Sequence, residues 1–152
     1  MTIDIRAVES AADFRVLREL IFEYEESLDP DLRHSDTDRG IELLGGKNIA
    51  LIGAVDTAPA GCVALYELDA STAIVKKLYV RPAFRKLGLA RSMLLLLLER
   101  ARESGYIRIV LDTQRERLAA AYRLYCDIGF TECEPYGEVD YASPTFMELL
   151  FE

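Results

Sequence analysis

Residues 73 to 98 hold three kinds of chain in immediate succession. A β-branched stretch, Ala73 to Val80, stops at Pro82, which cannot donate to a central ladder. A short basic loop with a single glycine, Gly88, follows, and a helical stretch then runs into the apolar segment Met93 to Leu98. Strand, loop and helix N-terminus in this order set backbone amides where they can hold a phosphate. Gly88 has no Cβ, so the backbone there can turn sharply and approach a ligand closely. The orphan amides of the first helical turn add about half a positive charge, and Arg85, Lys86 and Arg91 add full ones. From Lys76 to Arg108 there are nine Lys/Arg and two Glu, a net of +7 in a chain whose total is −8. A chain that concentrates positive charge around one loop is suited to hold a polyanion there, the alternative being a solvated basic helix start. Neither G-x-x-x-x-G-K-[ST] nor G-x-G-x-x-G occurs, so the loop lacks the nucleotide-binding fingerprints.

The bounds set by composition are broad. At 152 residues the chain suits one domain, 1–152, able to bury roughly 70% of its unfolded surface. With 51% hydrophobic residues, nine Gly and five Pro, it is globular and not disordered. The longest purely apolar run, Met93 to Leu98, is far short of the roughly 20 residues a bilayer requires. Met1 to Arg6 lacks the apolar core of a signal peptide. Cys62, Cys126 and Cys133 are odd in number and have neither metal-ligand nor CxxC spacing, so reduced thiols, no metal and a cytoplasmic location are expected. The net charge argues against nucleic acid and anionic membranes as partners.

Ile3, Ile5 and Ala7 alternate with polar residues, as a first strand would. Ser10 reads as the N-cap of a helix from Ala11 to Ser27, whose Phe14, Leu17, Leu20, Ile21 and Tyr24 share one face. Glu23, Glu25, Glu26, Asp29 and Asp31 cluster near its end and read as a solvated face. His34, the only histidine, falls in a polar loop; an imidazole could serve as a base, but nothing in sequence orients it and it reads first as a surface residue. A short helix closing at Gly45-Gly46 precedes three strands, Asn48 to Asp56, Ala60 to Leu68 and Thr72 to Val80. After the basic loop a helix is expected from Gly88 to Ser104, then strand Ile107 to Leu111, helix Arg117 to Ile128 and strand Phe130 to Glu134. Strand, helix and strand in that succession make a βαβ unit with parallel neighbours.

Two segments carry a family resemblance. Arg85-x-x-Gly88-x-Ala90, preceded by Leu78-Tyr79-Val80, resembles the Q/R-x-x-G-x-G/A signature of the GCN5-related N-acetyltransferase (GNAT) family. Ala121-x-x-Leu124-Tyr125-x-x-x-Gly129-Phe130 is similar to a second element of that family, and residues 135–149 resemble its closing strand pair. The similarity covers about residues 70–150; the first 70 match in element order. The resemblance implies an α/β fold with a mixed, mostly antiparallel central sheet, a parallel βαβ core and flanking helices. It further implies acetyl-CoA as co-substrate, with an acetyl group passed to an amine by direct attack and no nucleophilic residue.

Under that resemblance Arg85, Lys86, Leu87, Gly88, Leu89, Ala90 and Arg91 hold the CoA pyrophosphate, and Leu78, Tyr79 and Val80 flank the pantetheine arm. An amide near Leu78 or Tyr79 would meet the acyl oxygen. Tyr125 is the expected general acid, while Cys126 and Cys133 are expected in the core. Ile74 stands where many members carry the basic glutamate, so the base is sought first at Glu67, then at Asp69, Glu25 or Glu26. Leu118 replaces an asparagine that contacts the cofactor in many members. These departures keep open a second reading, an acyl-CoA-binding sensor or subunit without turnover. The acceptor, a small molecule or peptide amine, is not specified by the sequence; the resemblance puts it beside the first helices, where Glu23, Glu25, Glu26, Asp29 and Asp31 would form an acidic rim. The leucine-rich helix and apolar last strand suggest a homodimer.

Overall fold

A computed structural model gives residues 1–152 as seven strands in one sheet with four helices packed on it. The strands are β1 (Ile3–Ala7), β2 (Ile49–Val55), β3 (Ala58–Glu67), β4 (Thr72–Val80), β5 (Arg108–Thr113), β6 (Thr131–Glu132) and β7 (Thr145–Leu150). The helices are α1 (Ala11–Ser27), α2 (Thr37–Glu42), α3 (Leu89–Glu103) and α4 (Ala119–Ile128). Sheet order is β1-β2-β3-β4-β5-β7-β6, antiparallel throughout except for the parallel pair β4–β5. This is the expected fold class. The last two strands differ in detail: β6 has two residues, and β7 inserts between it and β5.

The near-continuous apolar reading of β2 and β3 follows from burial on both faces. Successive side chains alternate, so Cys62 and Ala64 pack under α1 while Val63 and Leu65 face α3. From the other side Leu17, Leu20 and Ile21 of α1 close the first layer. Leu89, Met93, Leu94 and Leu97 of α3 close the second. Of the five consecutive leucines, Leu94, Leu97 and Leu98 are buried, Leu96 packs against the core, and Leu95 alone is exposed. One chain therefore accounts for the run, which needs no second copy to cover it.

Helix ends follow local chemistry. Ser10 accepts from the Asp13 amide at 3.0 Å, and the Asp13 carboxylate accepts from the Ser10 amide at 3.4 Å, a reciprocal cap that fixes where α1 starts. Gly105 follows α3 at φ +94°, the left-handed conformation that ends a helix. No helix is long and apolar enough to cross a membrane.

Candidate active site

The sheet opens where β4 and β5 part. They pair only over Thr72–Ile74 against Arg108–Val110, after which β5 stays with β7 and β4 stays with β3. The bend has a local cause. Between Cys62–Tyr79 and Ala64–Lys76 the register slips by one residue, so Lys77 and Leu78 together oppose Val63 in a β-bulge. Lys77 carries the odd conformation, φ +62°, which costs a side-chain-bearing residue about 1–3 kcal/mol. Beyond the bulge the Arg81 amide donates to Ala60 O on the β3 side. Backbone groups alternate sides along a strand, so the Leu78 and Val80 amides face the gap.

Gly61 lies against this bulge. A Cβ there would sit 2.5 Å from the Tyr79 carbonyl oxygen and 3.0 Å from Met93 Cε. Gly61→Ala is expected to push β4 and α3 apart, costing about 1–3 kcal/mol in thermal or urea melts, and to weaken acetyl-CoA binding. An unchanged melt with unchanged binding would show that the close contact carries no strain.

At the end of β4 the chain turns through Pro82–Phe84 into the basic loop. Lys86 (φ +65°) and Gly88 (φ +83°) are both left-handed, a nest-like alternation that turns successive amides toward one side. The amides of Lys86, Leu87, Gly88, Leu89, Ala90 and Arg91 donate to no acceptor in the protein, and the first bonded amide is Ser92, to Gly88 O. Six unsatisfied donors at a helix N-terminus form an anion cradle. Arg85 ties it to the strand, its Nε donating to Val80 O at 2.9 Å, which leaves its other guanidinium donors free. A phosphate group fits the residues present.

The cradle opens into a cavity of about 700 Å³ running through the β4–β5 gap. Leu78, Tyr79, Val80, Arg85, Lys86 and Ala90 line it. Leu87, Gly88, Leu89 and Arg91 do not; they bring backbone amides, and the Leu89 side chain is core. Helix α4 roofs the cavity with Ala121, Leu124 and Tyr125, and Leu118 also lines it. The Tyr125 ring packs edge-on against Phe130, centroids 5.8 Å apart. Its hydroxyl has no protein partner yet is not sealed off, so it is open to the cavity. Burial, and then the charge of Asp112, push its phenol well above the ordinary tyrosine range. At the far end the Asp112 carboxylate accepts from Tyr136 and Tyr141, each at 2.7 Å.

This geometry, a split sheet with an amide cradle at the head of α3, agrees with what known proteins show. The acetyltransferase (GNAT) family model matches residues 14–130. The chain belongs to this family. An uncharacterized N-acetyltransferase of Schizosaccharomyces pombe, C1271.07c, is 30% identical over 97% of this chain and 94% of its own length. YsnE of Bacillus subtilis, another uncharacterized N-acetyltransferase, is 33% identical over 65% of this chain and 67% of its own. Among solved structures, the PaiA N-acetyltransferase of Thermoplasma acidophilum in complex with coenzyme A superposes with a TM-score of 0.75. It is 19% identical, over 99% of this chain and 100% of its own, and thus shares the fold. Family membership makes the chain an acetyl-CoA-dependent acetyltransferase, with acetyl-CoA as co-substrate.

In this acetyltransferase Glu67 does not reach the cavity. It pairs in register with Ala73, six residues before Tyr79, roughly 20 Å along the strand. Its carboxylate accepts from Tyr106 at 3.2 Å and lies 3.4 Å from Lys47. Nor is the acidic cluster a free rim. Glu23 is bound by Arg81, while Asp29 and Asp31 are bound by Arg117. Cys126 is exposed and Cys133 half-buried, so of the three thiols only Cys62 is core, where burial pushes it up to about 12. The expectation for Cys126 fails because α4 turns Tyr125 and Leu124 inward and its next residue outward.

Three residues that the sequence does not join meet beside the cavity. Glu25 is buried at 6% exposure. It accepts from the His34 backbone amide at 2.8 Å, contacts His34 Nδ1 at 2.7 Å, and accepts from Lys77 Nζ at 2.5 Å. Burial opposes its ionisation, but the His34 and Lys77 hydrogen bonds outweigh this and hold the carboxyl at about 2. His34 and Lys77 both line the cavity. The histidine read as unoriented is held by two bonds to one carboxylate.

Proposed function

We propose that the chain transfers an acetyl group from acetyl-CoA to a primary amine by direct attack. The observation that carries this reading is the row of six unsatisfied amides, Lys86 to Arg91, opening into a cavity lined by Tyr125. The cradle, with Arg85 and Lys86, takes the CoA pyrophosphate. The pantetheine arm fills the gap left by β5 and meets the Leu78 and Val80 amides as an added strand would. The Leu78 amide is then placed to donate to the acyl oxygen as negative charge develops on it.

Tyr125 serves the departing sulfur. On reference values, transfer of a proton from a phenol to a thiolate is uphill by about 2 kcal/mol, and burial of Tyr125 raises that further. Its hydroxyl therefore acts chiefly as a hydrogen-bond donor to the leaving thiolate. Tyr125→Phe is expected to lower kcat about 100-fold, with the KM for acetyl-CoA changed little, followed by thiol release against a panel of small and peptide amines. Unchanged turnover would remove the role. Tight acetyl-CoA binding by the wild type with no thiol release for any amine would favour the sensor reading instead.

A further inference from the structure

The geometry points to His34 as the general base for the acceptor amine, positioned by Glu25; the inference rests on the acetyl-transfer reading above. A carboxylate can only accept, so the 2.7 Å contact between Glu25 Oε1 and His34 Nδ1 requires the proton on Nδ1. In the neutral ring the lone pair is then on Nε2. That nitrogen has no protein partner and is not sealed off, and the residue lines the same cavity as Tyr125. The second bond, from the His34 amide to the other oxygen of the same carboxylate, fixes the backbone with the ring. Lys77 balances the Glu25 charge, so the pair stays ionised inside the fold.

No other group offers this. Glu67 is outside the cavity, and Ile74 provides no acceptor. Asp112 has each oxygen already bound by a tyrosine hydroxyl. The charged and titratable groups around His34 come from every side. Glu25 and Tyr24 belong to α1, Lys77 to β4, Asp112 to β5, Arg33 and Asp36 to its own loop, Asp38 and Arg39 to α2, and Arg117 and Tyr141 stand across the cavity. Glu25 is held near 2, while burial drives Tyr24 and Tyr141 upward.

A primary ammonium, R–NH₃⁺, gives one proton to Nε2. The freed lone pair forms the N–C bond at the acetyl carbonyl, the C–S bond breaks, and its electron pair leaves on sulfur. The second N–H proton ends on that sulfur, whose developing charge the Tyr125 hydroxyl meets as a hydrogen-bond donor, giving R–NH–COCH₃, CoA–SH and one H⁺. His34 also lines a second cavity, with Ser35, Asp36 and Thr37, through which the proton it holds can pass to solvent.

Because His34 is the only histidine, its ring can be read by nitrogen NMR without assignment. The neutral ring of the wild type is expected as the Nδ1–H tautomer, whether or not the protein turns over; an Nε2–H tautomer would overturn the proposal. His34→Asn keeps an N–H for Glu25. It is expected to lose at least 100-fold in kcat/KM for the amine and one limb of the pH–rate profile, with the acetyl-CoA Kd within twofold. A variant that keeps both rate and limb would sink His34 as base while leaving the acetyl-transfer reading intact. Failure of acetyl-CoA to bind the wild type would overturn that reading, and this inference with it.

Discussion

Arg85→Glu is expected to bind acetyl-CoA roughly 100- to 1000-fold more weakly than the wild type by calorimetry, with little change in its melting temperature. The side chain has two functions that the substitution removes together. Its Nε holds Val80 O, which fixes the loop relative to the strand end, and its remaining donors face the cavity beside the six free amides. A charge-assisted hydrogen bond contributes about 1.5–3 kcal/mol, and each 1.4 kcal/mol is tenfold in affinity. Reversing the sign adds repulsion between the new carboxylate and the phosphates. Arg85→Gln separates the terms: it removes the charge without reversing it and should lie between the two. Wild-type binding should also weaken as salt rises, since the loop is open to solvent. A Kd for Arg85→Glu within threefold of the wild type would show that the phosphates lie elsewhere, and with them the cradle assignment would go.

That loop was legible because its signals are local. Pro82, Gly88 and the clustered charge of Arg85, Lys86 and Arg91 lie within ten residues, and strand, turn and helix follow from short-range chemistry. The start of α1 was legible for the same reason, its cap being Ser10 with Asp13. Glu67 was misplaced because chain order and strand register run opposite ways in a hairpin. Glu67 precedes the β3–β4 turn closely, yet antiparallel pairing sets it beside Ala73, at the end of β4 far from Tyr79. The two-residue β6 and the insertion of β7 were illegible for a similar reason, since apolar alternation does not say which neighbour a strand takes.

The acidic cluster near the end of α1 shows how charge misleads when read along the chain. Its partners are Arg81 and Arg117, 58 and 86 to 88 residues away, and the sheet brings them in. His34 has the same history. Its orienting carboxylate is nine residues back, but the meeting requires Lys77, 52 residues from Glu25, to cover the opposite side. The bulge in β4 is what delivers Lys77, and a register slip of one residue leaves no mark in composition.

Lys77→Met should lower the melting temperature of the protein by roughly 10 °C at neutral pH. Removing one partner of a buried pair leaves an uncompensated charge, at about 3–5 kcal/mol, and a domain of this size loses about 2–4 °C per kcal/mol. The pH dependence gives a sharper test. Glu25 is held at about 2, below its ordinary 4.5. A carboxyl depressed in the folded state adds stability above its unfolded value, and that contribution disappears as pH falls through the folded one. For Glu25 this is worth about 3 kcal/mol, fully present above pH ~4.5 and lost on approach to pH ~2. In Lys77→Met the carboxyl no longer has its cation and protonates at higher pH, so the deficit is widest above pH ~4.5. The gap between the two melting temperatures should then narrow steadily on acidification, as protonated Glu25 ceases to need a cation. A gap of constant width down to pH ~2 would mean that Lys77 stabilises through the packing of its stem and the bulge alone. His34 would then be held by a carboxylate whose charge the fold tolerates without Lys77.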